Sequence, residues 1–125
     1  MSVVNLDSVT MSLDQDRVLL IKFKEVAVDI EETRKIMNRS AEMVNKKGFR
    51  VLIDARDVYA SVDHNSRKYM AEHEVNEYNI AQAMVVNNIP VRIIANFYLK
   101  FYKHSYPMKV FKNIDSAREW LMQQG

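Results

Sequence analysis

One short apolar run constrains this chain more than any other: Phe49-Arg50-Val51-Leu52-Ile53, followed at once by Asp54-Ala55-Arg56-Asp57. The run is too short for a core helix and is rich in β-branched residues. Gly48 bounds it before and a charged turn bounds it after. A segment of that kind reads as a strand buried on both faces, in the middle of a sheet. In open α/β sheets, ligands gather beyond the carboxyl ends of the strands. The edge at Asp54, Arg56 and Asp57 is therefore the first candidate for a ligand site.

The flanking segments supply the rest of a sheet. Val9–Leu13 alternates apolar and polar residues, as a half-buried strand does. Asp14-Gln15-Asp16 is a turn. Residues 17–24 form a second strand, with Leu19, Ile21 and Phe23 on one side, so the pair reads as an antiparallel hairpin. Asp29 caps a helix, with Glu32 at the capping-box position. Ile36, Met37, Ser40, Ala41 and Val44 recur on one face of that helix. Lys46 and Lys47 suit its carboxyl end, and Gly48 is expected to supply the left-handed stop.

After the central strand, Asp63 or Asn65 caps a well-exposed helix running to about Glu77. Residues 80–86 form the next strand. Asn87-Asn88-Ile89-Pro90 turns into a third helix, whose broad apolar face holds Ile93, Ile94, Phe97, Tyr98 and Phe101. Residues 108–112 are the last strand. Asp115 is expected to cap the last helix, with Ala117, Trp120 and Leu121 packing inward. The order β-β-α-β-α-β-α-β-α implies right-handed crossovers and a mainly parallel α/β sheet behind an N-terminal hairpin.

The 125 residues suit a single domain, and 48% hydrophobic with 27% charged residues is ordinary for a globular chain. There is no cysteine, which excludes disulfides and thiol catalysis and fits a reducing cytoplasm. The N-terminus has neither the basic region nor the apolar core of a signal peptide. Two glycines leave no Gly-rich phosphate loop, and a net charge of +2 gives no reason to expect nucleic acid.

Four motifs carry a family resemblance: Leu52-Ile53-Asp54 ending the central strand, the aromatic-rich Ala95-Asn96-Phe97-Tyr98-Leu99-Lys100-Phe101, Pro107-Met108-Lys109-Val110-Phe111, and Ala117-Arg118-Glu119-Trp120-Leu121. Together with the hairpin-first order they resemble the STAS domains, and more closely the small bacterial SpoIIAA-like proteins. The resemblance implies strands in sequential order with the helices mostly on one face, as in the related lipid-carrying SEC14 (CRAL-TRIO) fold. It also implies a regulatory or interaction module. Regulatory STAS domains carry an Asp-Ser-Ser/Thr-Gly phosphorylation motif after the central strand. Here Tyr59-Ala60-Ser61-Val62-Asp63-His64-Asn65-Ser66-Arg67 has no Asp-Ser pair and no glycine, so no phosphorylation switch is expected at Ser61 or Ser66.

Candidate chemistry is sparse. Asp54, Asp57 and Asp63 share one loop, where carboxylates can do acid–base work or hold a metal, or can simply satisfy turn amides and cap a helix. His64, His73 and His104 lack metal-ligand spacing, so no metal and no cofactor are expected. Asn87 and Asn88 can bind an anion at a helix start or serve as caps. Phe97, Tyr98 and Phe101 can line an apolar pocket or fill the core. Residues 78–114 contain no carboxylate, and Arg92, Asn96, Lys100 and Lys103 fall at i, i+4, i+8 and i+11 on one helical stripe. That stripe is either a solvated face or a contact for an anionic protein surface or membrane.

The reading is a non-enzymatic cytoplasmic module that binds a protein partner or small ligand. A hydrophobic-ligand carrier is the second reading and a hydrolase at Asp54 and Asp57 the third. The candidate ligand site is Asp54, Arg56, Asp57, Asn87, Asn88, Phe97, Tyr98 and Phe101. The oligomeric state is left open, a homodimer included.

Overall fold

A computed structural model describes residues 3–24, 26, 28–56, 64–88 and 106–125. Its strands are β1 (Val3–Asn5), β2 (Val9–Leu13), β3 (Val18–Phe23), β4 (Phe49–Asp54), β5 (Asn79–Val85) and β6 (Met108–Phe111). Its helices are α1 (Ile30–Val44), α2 (His64–Glu72) and α3 (Ile114–Met122), with a 3-10 helix at Glu74–Tyr78. The helix expected between Pro90 and Tyr106 falls almost wholly on residues 89–105, outside the described residues.

The strands form one six-stranded sheet in the order β1-β2-β3-β4-β5-β6. β1–β2 and β2–β3 are antiparallel, and β3–β4, β4–β5 and β5–β6 are parallel. β4 lies inside the sheet, as its continuous apolar run requires. Phe49 and Val51 join a core with Leu19, Ile21, Ile36 and Val44 on one side. Leu52 joins Val18, Ala81, Ala83, Val85, Ala117 and Leu121 on the other. The first core lies under α1, against which α2 packs, and the second lies under α3.

β1 adds an edge strand that the hairpin reading lacks. It is only three residues long and Val3 is 68% exposed, so no alternation marks it in sequence. Lys24 ties it down by donating from Nζ to the Asn5 side chain and to the Leu6 carbonyl.

Several terminal details differ from the sequence expectation. Asp29 does cap α1, its Oδ1 accepting from the Glu32 N–H at 2.8 Å. The Glu32 side chain does not return to the cap; it binds Ser8 instead. The left-handed stop is Asn45 (φ 50°) followed by Lys46 (φ 54°), not Gly48. Asparagine tolerates that conformation because its short polar side chain bonds locally. A Cβ on Gly48 would stand 3.4 Å from Ile80 Cδ1, an ordinary van der Waals contact, so the packing at the start of β4 does not itself demand a glycine. Arg17 also reaches the end of α1: its NH2 donates to the Val44 carbonyl at 2.6 Å, which accepts from the Lys47 N–H at 3.2 Å as well, and its Nε donates to the Gly48 carbonyl at 2.7 Å. That puts a cation on the negative end of the helix.

α2 stops at Glu72, short of Glu77. His73 is extended there, and its Nδ1 accepts from the Val75 N–H at 3.0 Å, starting the 3-10 helix. Asn76 Nδ2 covers the Met70 and Ala71 carbonyls that the shorter helix leaves open. α3 is capped by Asn113, which accepts from the Ser116 N–H at 2.8 Å. Asp115 sits two positions past the cap and lies in the first turn, where its charge still suits the dipole.

Candidate functional site

The parallel strands β3, β4, β5 and β6 all end at one edge of the sheet, and the ladder is kept regular up to that edge. Ala55 N–H donates to the Val85 carbonyl at 2.9 Å, and Val86 N–H donates to the Phe111 carbonyl at 3.0 Å. These bonds fix where Asp54 and Asn87 sit relative to each other.

Asp54 is only 5% exposed. A buried carboxylate needs partners, and Arg56 supplies them. Its Nε donates to Oδ1 at 3.0 Å, NH2 donates to Oδ2 at 2.9 Å, and its backbone N–H donates to Oδ1 at 3.2 Å. This two-pronged geometry is the strong form of an arginine–carboxylate pair. Lys22 is the register partner of Asp54 on β3. Burial pushes the Asp54 carboxyl up, but the Arg56 bonds and the charges of Arg56 and Lys22 outweigh it. The net result is a carboxyl held below its ordinary value. The Arg56 side chain remains 40% exposed.

Asn87 is exposed and Asn88 half-buried just beyond β5, at the same edge. Asp54, Arg56, Asn87 and Asn88 therefore share the carboxyl edge; the sequence alone put Asp54 and Arg56 there and read Asn87 and Asn88 as a helix start. Asp57, Phe97, Tyr98 and Phe101, together with Arg92, Lys100 and Lys103, lie outside the described residues, as do Ser61, Asp63 and His104. Ser66 is fully buried in α2. Among the described residues no group of three or more His, Asp or Glu side chains could hold a metal ion.

A second polar centre escaped the sequence reading. Glu32, 8% exposed, accepts from both the N–H and the hydroxyl of Ser8 through Oε1, at 3.0 and 2.8 Å. The Ser8 hydroxyl bond lowers the Glu32 carboxyl, burial opposes this, and the Ser8 backbone bond and Lys35 reinforce the lowering. This clip fastens the β1–β2 loop to the first turn of α1. At the opposite edge Arg118 of α3 spans Asp14 and Asp16 at 2.9 Å each, tying the hairpin turn to the far side of the sheet.

A family model described as a domain of unknown function (DUF7793) matches residues 11–124. The chain belongs to that family. A solved structure of an uncharacterised DUF3478-family protein with a SpoIIAA-like fold, from Shewanella loihica PV-4, superposes with a TM-score of 0.71 at 13% identity, covering 97% of this chain and 98% of that one. At that identity the likeness establishes the fold, and the fold is SpoIIAA-like, as the four sequence motifs imply. No curated protein sequence matches the chain. Among the described residues no helix is long and apolar enough to cross a membrane.

Proposed function

We propose that this family member is a cytoplasmic, non-enzymatic interaction module whose carboxyl sheet edge receives a protein partner or a small ligand. The observation that carries the reading is the Asp54–Arg56 pair. Both carboxylate oxygens are occupied by the guanidinium, and the carboxyl is held on the acidic side of its ordinary value. A general acid or base working near neutrality needs the opposite tuning. The pair instead holds a partly exposed cation rigidly at the edge where SpoIIAA-like and other open α/β sheets offer their ligand crevice. The lack of cysteine fits the compartment.

Native mass spectrometry of the protein purified from its own host tests this. The reading expects a co-purifying protein, or a small polar molecule, lost when Arg56 is replaced by Met. A lipid-sized mass in its place would assign the chain to the hydrophobic-ligand carriers. Turnover of a hydrolysable ester that disappears in Asp54→Asn would make it an enzyme.

A further inference from the structure

β6 ends the sheet, and its outer side is the feature we carry further. Gln82 N–H donates to the Pro107 carbonyl at 2.9 Å, and Val86 N–H donates to the Phe111 carbonyl at 3.0 Å. In a parallel ladder alternate residues address the same neighbour, so Pro107, Lys109 and Phe111 turn their main chain toward β5. Met108 and Val110 turn their N–H and C=O groups the other way. Among the described residues no group pairs with those outward groups. A row of this kind is a template for one more strand.

The side chains say which strand fits. Lys109 and Phe111 share the face covered by α3: Lys109 Nζ stands 5.5 Å from the Phe111 ring centroid, and Phe111 packs on Trp120 at 5.7 Å. Met108 and Val110, half-buried, alternate onto the opposite face. Lys109 and Lys112 are both exposed, and no carboxylate occurs anywhere in residues 78–114. A second copy of this chain would bring its own Lys109, with Lys112 one residue beyond the strand, to the same short edge, which disfavours self-pairing.

Resting on the interaction-module reading, we infer that β6 is a docking edge for an extended acidic segment of a partner protein, added as a seventh strand. Its acidic side chains would lie on the Lys109 face and its apolar side chains on the Met108 and Val110 face. Cross-strand pairing of opposite charges on one face and apolar groups on the other sets the preference.

The test is an amide NMR titration with the peptide acetyl-Val-Glu-Val-Glu-Val-Glu-amide, and with its counterpart in which lysine replaces glutamate. The inference expects the Met108 and Val110 amides to shift and their hydrogen exchange to slow with the glutamate peptide only. Val110→Pro removes one outward donor while leaving the β5 ladder intact, because proline is tolerated where the missing N–H faces away from the sheet. It should weaken binding about two- to tenfold, the loss of one hydrogen bond. Lys109→Glu with Lys112→Glu should reverse the preference between the two peptides, with circular dichroism confirming the fold of each variant. Unshifted Met108 and Val110 amides, full affinity in Val110→Pro, or equal binding of both peptides would overturn it. So would a dimer that dissociates on Val110→Pro, since the edge would then belong to a second copy. A host partner retained by Val110→Pro in native mass spectrometry sinks the docking edge but leaves the module reading standing. A host preparation with no partner and no ligand sinks the module reading whatever the peptide does.

Discussion

Glu32→Ala should destabilise the protein by about 2–4 kcal/mol. The figure follows from what the substitution leaves behind. Ser8 is 1% exposed, and its N–H and hydroxyl both end on Glu32 Oε1, at 3.0 and 2.8 Å. A hydrogen bond to a charged group contributes about 1.5–3 kcal/mol, and a buried donor left unpaired costs about 1–3 kcal/mol. The better helix propensity of alanine returns only a few tenths of a kcal/mol. Glu32→Gln keeps an acceptor oxygen and removes only the charge, so about 1 kcal/mol is expected. The charge also gives the clip a pH signature. The folded carboxyl is more acidic than the ordinary value of 4.5. Its contribution is therefore fully present above that value and is lost as the pH falls through the lower, folded one. Urea melts from pH 7 downward should show wild type and Glu32→Gln converging below pH 4.5, with their difference constant above it. A Glu32→Ala loss under about 0.5 kcal/mol, the range of an ordinary surface substitution, would refute the reasoning. A wild-type-minus-Gln difference that persists unchanged into strong acid would refute the electrostatic part.

Three further outcomes are expected. Arg56→Met should cost about 2 kcal/mol in urea melts, below the usual toll for orphaning a buried charge because the residue-56 N–H still donates to Asp54 Oδ1 and Lys22 still stands beside the carboxylate. Trp120→Ala should cost about 2–4 kcal/mol, since the indole is half-buried against Phe111 at 5.7 Å; a loss under about 0.5 kcal/mol would place it on the surface. Arg17→Met should cost about 1–2 kcal/mol by baring the Gly48 carbonyl and taking the cation from the Val44 carbonyl, and amide exchange should speed up in the last turn of α1 before anywhere else.

What could be read from the sequence divides along the range of the interactions. The β4 run was legible because a strand buried on both faces needs a short apolar stretch with no alternation, and few other elements do. The Asp29 cap was legible because its bond reaches only three residues ahead. Asp54 was legible as the end of a strand, and a closer look at Arg56, two residues on, would have suggested their pairing. The Ser8–Glu32 clip spans 24 residues and the Arg17–Gly48 contact 31, so no local pattern encodes either. Glu32 fits a capping-box position equally well whether it turns back to the cap or out to another loop. The helix stop was misplaced because glycine is the commoner left-handed residue, yet Asn45 stands nearer the end of the apolar stripe. β1 was invisible for a physical reason: an exposed three-residue edge strand needs no hydrophobic pattern, only a neighbour's main chain.

The central claim is that Asp54 anchors a fixed cation at the carboxyl edge and performs no proton chemistry. Its side-chain carboxyl carbon can be followed by NMR through an acid titration of the intact protein. The account predicts a midpoint below 3.8, the ordinary aspartate value, moving upward in Arg56→Met. A wild-type midpoint raised toward neutrality, or one indifferent to Arg56, would contradict it and return Asp54 to the candidates for catalysis.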